Sequence, residues 1–284
     1  MNQPQFPFFQ SGDYRITALS DGNLDASLDL LAGIARDDAA KIQQQNGIER
    51  PGNIHINAYL IQSEDHTILV DAGTGSLVAS AGGIVDALAA LGVAPADIDT
   101  VLVTHAHPDH VGGLLDDGGA ARFDNAALWL HPLEIAHWQD DEKQAQAGEK
   151  GRDSFALARR VLAAYGDRVN PLSKNDIVGG IAPVWLPGHT PGHTGFQIGK
   201  GDDSLLIWGD IVHYPHIQTA APSVSIAFDV DPVQAEATRR AILAQVAREK
   251  ITVAGMHFAS AGFARIAEDG DGYRIDYLPA VGQG

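Results

Sequence analysis

The segment Thr104-His105-Ala106-His107-Pro108-Asp109-His110 sets three imidazoles and one carboxylate within six residues. Imidazole nitrogen and carboxylate oxygen are the donors that a borderline-soft divalent ion such as zinc takes. One such ion needs about four protein or water ligands. A polar surface loop with solvated histidines is the alternative reading. The density of donors favours metal binding.

The elements that must position these donors are legible around them. Asp99-Thr100-Val101-Leu102-Val103 is a β-branched run that reads as a buried strand ending at the first histidine, and Gly112-Gly113 closes the segment. Three later apolar runs end the same way. Val184-Trp185-Leu186 leads into Pro187-Gly188-His189-Thr190-Pro191-Gly192-His193, Leu205 to Trp208 into Gly209-Asp210, and Ile251 to Met256 into His257. A strand end is a rigid base for a ligand-bearing loop, and here that device recurs. Asp71 stands at another such end, after Leu69-Val70.

Elsewhere, Tyr14–Leu19 alternates as a strand, and 57–61 with 67–70 reads as a hairpin whose turn holds His66. Ile84–Leu91 predicts a short helix stopped by Gly92 and Pro95. Residues 131–165 turn helical and polar, and Asp140–Gln146 reads as a solvated face or mobile segment rather than a site. Asp231 as N-cap, Pro232 at the first helical position and Gln234 at the third start a helix running to about Lys250. Segment pattern alone supports an α/β or α+β chain. No linker or repeat divides the 284 residues, so one domain is expected over 1–284, with about 1–13 as an N-terminal extension.

Composition excludes several function classes. A net charge of −17 opposes polyanionic partners, so no nucleic acid is expected. Cysteine is absent, which removes disulfides, thiolate ligands and cysteine nucleophiles. No apolar stretch approaches the roughly 18 residues of a membrane span. The start, Met1 to Phe9, lacks the basic and apolar regions of a secretory leader. As written the chain reads as soluble and cytoplasmic, or as periplasmic or secreted where a leader has been removed. A small-molecule substrate is the expected partner, and a homodimer is compatible with the chain.

The order His-x-His-x-Asp-His, Pro-Gly-His-Thr-Pro-Gly-His, Gly-Asp and late His resembles the metallo-β-lactamase superfamily, from about Tyr14 to about Leu278. Ile207 to His213, Pro222 to Asp229 and Gly270 to Tyr273 resemble its methyl parathion hydrolase-like and lactonase branch. The segment Phe258 to Phe263, after His257, departs from that branch and puts the substrate pocket in question. The resemblance implies an α+β, four-layer αββα sandwich of two mixed sheets with helices outside.

It also implies two divalent ions, zinc first, with manganese, iron or cobalt as alternatives. His105, His107 and His193 would hold one, Asp109, His110 and His257 the other, with Asp210 bridging. His189 competes with His193 for one position; the resemblance places the ligand at His193 and leaves His189 to loop packing or ligand support. Asp71 is implied to support a ligand. His213, Trp138, Phe155 and Phe258 are candidates for the substrate pocket, while Trp208 reads as core. His55, His131, His137 and His216 have no motif support and read as structural or surface residues.

The implied activity is hydrolysis of a lactone or ester by a metal-bridging hydroxide, with Asp109 shuttling the proton, Asp210 joining the metals, and phosphotriesters as side substrates. The rivals are a glyoxalase II-type thioesterase, an iron-dependent redox member, and a non-catalytic metal-binding protein.

Overall fold

The computed structural model describes residues 6–173 and 180–279; the first five residues, read above for a leader, lie outside this range. Among the described residues two large sheets form. The first has the order β1 (Phe8–Ser11), β2 (Tyr14–Asp25), β4 (Asn53–Gln62), β5 (Thr67–Val70), β6 (Thr100–Leu102), β7 (Ala127–Leu130) and β8 (Val169–Pro171). The second has the order β15 (Gly272–Tyr277), β14 (Phe263–Asp269), β13 (Thr252–Ala254), β11 (Leu205–Ile207), β10 (Thr194–Ile198) and β9 (Ala182–Trp185). A small ribbon pairs β3 (Leu31–Ala32) with β12 (Ser225–Ile226). Phe8–Ser11, expected in an N-terminal extension, instead pairs antiparallel with β2 as an edge strand.

Strand alternation builds the layers. Tyr59, Ile61, Ile68, Val70 and Leu102 face one way and meet Phe196, Ile198, Leu205 and Ile207 of the second sheet, with Met256 just beyond β13. Their neighbours Leu60, Leu69 and Val101 face outward, under α2 (Ile84–Ala90) and α6 (Glu149–Tyr165). On the far side, Leu206 and Val253 pack beneath Ile242, Leu243 and Val246 of α8 (Pro232–Glu249). The period-two pattern with both faces covered by helices is the four-layer sandwich. The Asp231 side chain accepts from the Gln234 amide, which caps α8 where the sequence placed its start. Among the described residues the other α-helices are α1 (Arg36–Gln45), α3 (Pro108–Val111), α4 (Pro132–Trp138), α5 (Asp141–Gln146) and α7 (Pro215–Gln218).

Strands β5 and β6 are parallel, as are β11 and β13. The loops that leave their carboxyl ends carry Asp71, His105 to His110, Asp210 and His257. They meet at one end of the sandwich with the turn between β9 and β10. On the same end, buried Asp21 accepts from the Thr74 amide and hydroxyl and from the Ile84 amide. It thereby fixes the Gly73–Gly83 loop beside the site.

Candidate metal centre

Three ring nitrogens converge first. His105 Nε2 lies 2.9 Å from His107 Nδ1, which lies 2.9 Å from His189 Nε2, and that atom is 3.1 Å from His105 Nε2. A second group joins Asp109, His110 and His257, with Asp109 Oδ2 at 3.7 Å from Nε2 of each histidine. Asp210 Oδ2 faces both groups, at 3.1 Å from His257 Nε2, 3.3 Å from His110 Nε2 and 3.4 Å from His189 Nε2. Asp109 and His110 reach the site on α3, whose first residue is Pro108.

The rings are aimed from behind. His110 Nδ1 is 2.6 Å from Asp71 Oδ2, His189 Nδ1 is 2.9 Å from Asp229 Oδ1, and His257 Nδ1 is 3.0 Å from the His55 carbonyl. The Thr104 hydroxyl donates to Asp71 at 2.6 Å, which leaves its lone pair to the Nδ1 of His105 at 3.1 Å. These partners place the protons on Nδ1 and turn the Nε2 lone pairs of His105 and His189 toward one point. Asp71 takes its place with a left-handed backbone, φ 57°, a conformation that aspartate tolerates better than most residues.

This donor set fits divalent ions. Converging lone pairs repel unless a cation lies among them, and His110 Nε2 and Asp210 Oδ1 are buried with no hydrogen-bond partner. Burial drives His105 and His107 well below the ordinary histidine range, so both are neutral, as ligands must be. Burial opposes charge on His110 too, but Asp210, Asp109 and Asp71 reverse the effect and raise it. Burial raises Asp210, yet the surrounding imidazoles hold it well below the usual carboxylate range. The site stabilises positive charge, whether brought by protons or by metal.

The structure brings together the donor atoms of His105, His107, Asp109, His110, Asp210 and His257; the ring of His193 packs against His105, but its nitrogens do not join that donor group. The Nδ1 of His193 donates to the Leu186 carbonyl at 2.9 Å, and its Nε2 accepts from the Asp210 amide at 2.9 Å. Both nitrogens are spent. Burial lowers its pKa to about 3, consistent with a neutral acceptor. Gly209 permits this approach: its φ is +59°, and a Cβ there would sit 2.3 Å from His193 Nε2. His189 occupies the ligand-like position that the resemblance assigned to His193.

A cavity of about 1040 Å³ opens over the site, and its walls include Trp138, Phe155, Leu157, Phe228 and His213. His213 Nε2 lies 3.1 Å from Asp210 Oδ2, and its ring stacks on His257. Phe258 is absent from that wall. Its amide closes a turn on the Gly255 carbonyl, and its ring packs edge-on against Trp208 and Tyr277 in the core beneath α8. The segment Asp140–Gln146 also departs from expectation, because Lys143 and Gln146 line the cavity. So does His137, whose ring packs on Trp138 and Phe155.

Two supporting residues escaped the sequence reading. Buried Glu134 accepts from the Ala106 amide, the Trp138 indole, the Thr190 hydroxyl and the Gly192 amide, tying the first ligand loop to the second. Its only sequence signal is a carboxylate four residues before a tryptophan on a helix. Asp229, behind His189, had none beyond its place in the Pro222–Asp229 stretch.

The chain belongs to the metallo-beta-lactamase superfamily, whose sequence model matches residues 51–257. A solved structure described as the hydrolase AbOPH in the beta lactamase superfamily superposes with a TM-score of 0.89 at 29% identity, covering 98% of this chain and 99% of that one. The N-acyl homoserine lactonase AttM of Azorhizobium caulinodans is 24% identical over 84% of this chain and 92% of its own length. The hydroxyacylglutathione hydrolase of Aeromonas salmonicida is 30% identical over 54% of this chain and 44% of its own. The chain thus spans less than two thirds of some of the curated relatives it matches.

Proposed function

We propose that this protein is a dinuclear, zinc-using hydrolase of lactones and esters, with weaker action on phosphotriesters. One observation carries the reading: a single carboxylate oxygen of Asp210 lies 3.1–3.4 Å from Nε2 of His110, His189 and His257, and so faces both donor groups. His105, His107 and His189 would hold one ion, Asp109, His110 and His257 the other, and Asp210 both. Such a pair of ions lowers the pKa of water to about 7 and draws charge from the reacting oxygen.

The chain's own residues supply the rest. Asp109, 22% exposed on its side chain and lining the cavity, is placed to take and return the proton of the attacking water. Trp138, Phe155, Leu157 and Phe228 offer an apolar wall for an acyl or aryl group and exclude water from it. The likeness to a lactonase over most of both chains supports a lactone as the first substrate to test.

A second reading, hydrolysis of a glutathione thioester, is favoured by the Aeromonas relative and by Lys143 and Lys150 on the cavity wall. The deciding experiment is a screen of zinc- and manganese-loaded protein against lactones, aryl esters, phosphotriesters and a glutathione thioester, with metal analysis of the purified protein. Faster lactone or ester hydrolysis supports the first reading. A thioester turned over far faster than the others replaces it with the second. A protein that binds no metal removes both.

A further inference from the structure

Behind His189 lies a buried chain of charge that no motif announces. The side chain of Asp229 is fully buried; its Oδ1 is 2.9 Å from His189 Nδ1, and its Oδ2 is 3.5 Å from the Nη2 of Arg239 on α8. Arg239 is itself only 1% exposed, an unusual state for a guanidinium. Its Nε donates to the Ile211 carbonyl at 2.7 Å, and its Nη1 to the carbonyls of Pro222 at 2.8 Å and Val224 at 3.0 Å. The planar fork is therefore held at several points before it meets Asp229. Lysine, a single point charge, cannot reproduce that set.

We infer that Arg239 is a positioning residue for metal binding, fixing Asp229 so that Asp229 fixes the His189 ring. A buried cation and carboxylate are each costly to desolvate, which makes them a poor device for stability alone. Here the carboxylate's other oxygen meets an imidazole whose second nitrogen faces the metal centre. Asp229 also accepts from the Ile226 amide at 3.3 Å, so its orientation is set from two sides. The other donor group is aimed differently: His110 rests on Asp71 and His257 on the His55 carbonyl, and neither touches Arg239. The effect of Asp229, and of Arg239 acting through it, should thus fall on one ion of the two. The inference rests on the proposed dinuclear site and adds to it a residue outside the ligand set.

The test titrates zinc into chelator-stripped full-length protein in two backgrounds. Asp109→Ala isolates the His105–His107–His189 group, and His107→Ala isolates the other. Adding Arg239→Met, and separately Asp229→Asn, should weaken zinc about ten- to a hundredfold in the first background. In the second, affinity should stay within about threefold, below the range that loss of a ligand's support produces. Combining Arg239→Met with Asp229→Asn should cost no more than Asp229→Asn alone, since both act through one path. Arg239→Lys should behave as Arg239→Met rather than as the parent. Equal loss in both backgrounds, no loss in either, or additive loss in the combined variant overturns the inference. Should Arg239→Met not fold, Asp229→Asn and Arg239→Lys carry the same comparison. A parent protein that binds fewer than two ions instead removes the dinuclear reading.

Discussion

The backbone N–H of Asp210 donates to Nε2 of His193 across 2.9 Å. This bond makes His193 part of the frame that carries the central carboxylate rather than one of the converging donors. Removing the imidazole strands a buried amide, at a cost of about 1–3 kcal/mol before the cavity is counted. His189 has the opposite profile, since its Nε2 faces the donor cluster. We expect His193→Ala to lower the melting temperature of metal-free protein more than His189→Ala does, and His189→Ala to lose more zinc. Thermal melts and zinc titrations on both variants check this; the reverse order would return His193 to the ligand set.

The swap between these two histidines shows where the sequence stops being informative. His105 to His110, Asp210 and His257 were legible because each follows an apolar run whose strand end could be read. The repeat Pro-Gly-His-Thr-Pro-Gly-His offers two imidazoles in nearly identical local surroundings. Register decides between them: the Leu186 amide bonds to the His193 carbonyl, so His193 extends the β9–β10 pairing while His189 sits at the tip of the turn. No local pattern encodes that. Glu134, Asp229 and Arg239 were hidden for a related reason, because each acts across long sequence separations. The layers were legible only through the family resemblance, because segment pattern alone supports no more than an α/β or α+β chain.

Glu134 tests the link between loops. Its carboxylate accepts four hydrogen bonds, two of them at 2.6 Å, from Trp138 and Thr190. An amide presents hydrogen where one oxygen stood, setting donor against donor. We expect Glu134→Gln to destabilise the protein by at least about 2 kcal/mol, since bonds to a charged group are worth about 1.5–3 kcal/mol each. Denaturant melts measure this directly. A loss under about 0.5 kcal/mol, the range of ordinary surface changes, would mean the hub is not under load.

Metal removal should read out both donor groups together. Any ion that binds only the folded chain adds about 2.7 kcal/mol of stability at a hundredfold excess over its dissociation constant. Chelation should therefore lower the melting temperature, and restored zinc should recover it. Asp210→Asn should lose most of that zinc-dependent gain, because the carboxylate facing both groups has become neutral. A variant that keeps the full gain would show that Asp210 does not join the two groups.

Acid should weaken the fold partly through His137. The residue is 6% exposed in the cavity wall, its ring packed on Trp138 and Phe155. Burial, with a smaller contribution from Lys143, lowers its pKa from 6.5 to about 4. Below pH 6.5 the unfolded chain binds this proton while the folded chain does not, so stability falls as the pH drops. The loss ends near pH 4, where the folded form also takes the proton. The neutral ring contributes fully at and above neutrality. Phenylalanine keeps the apolar contacts and cannot charge. In metal-free protein, where ion loss cannot contribute, His137→Phe should therefore lose less melting temperature than the parent between pH 7 and pH 4.5. Thermal melts across that interval decide it, and parallel curves for the two proteins would remove His137 from the acid response.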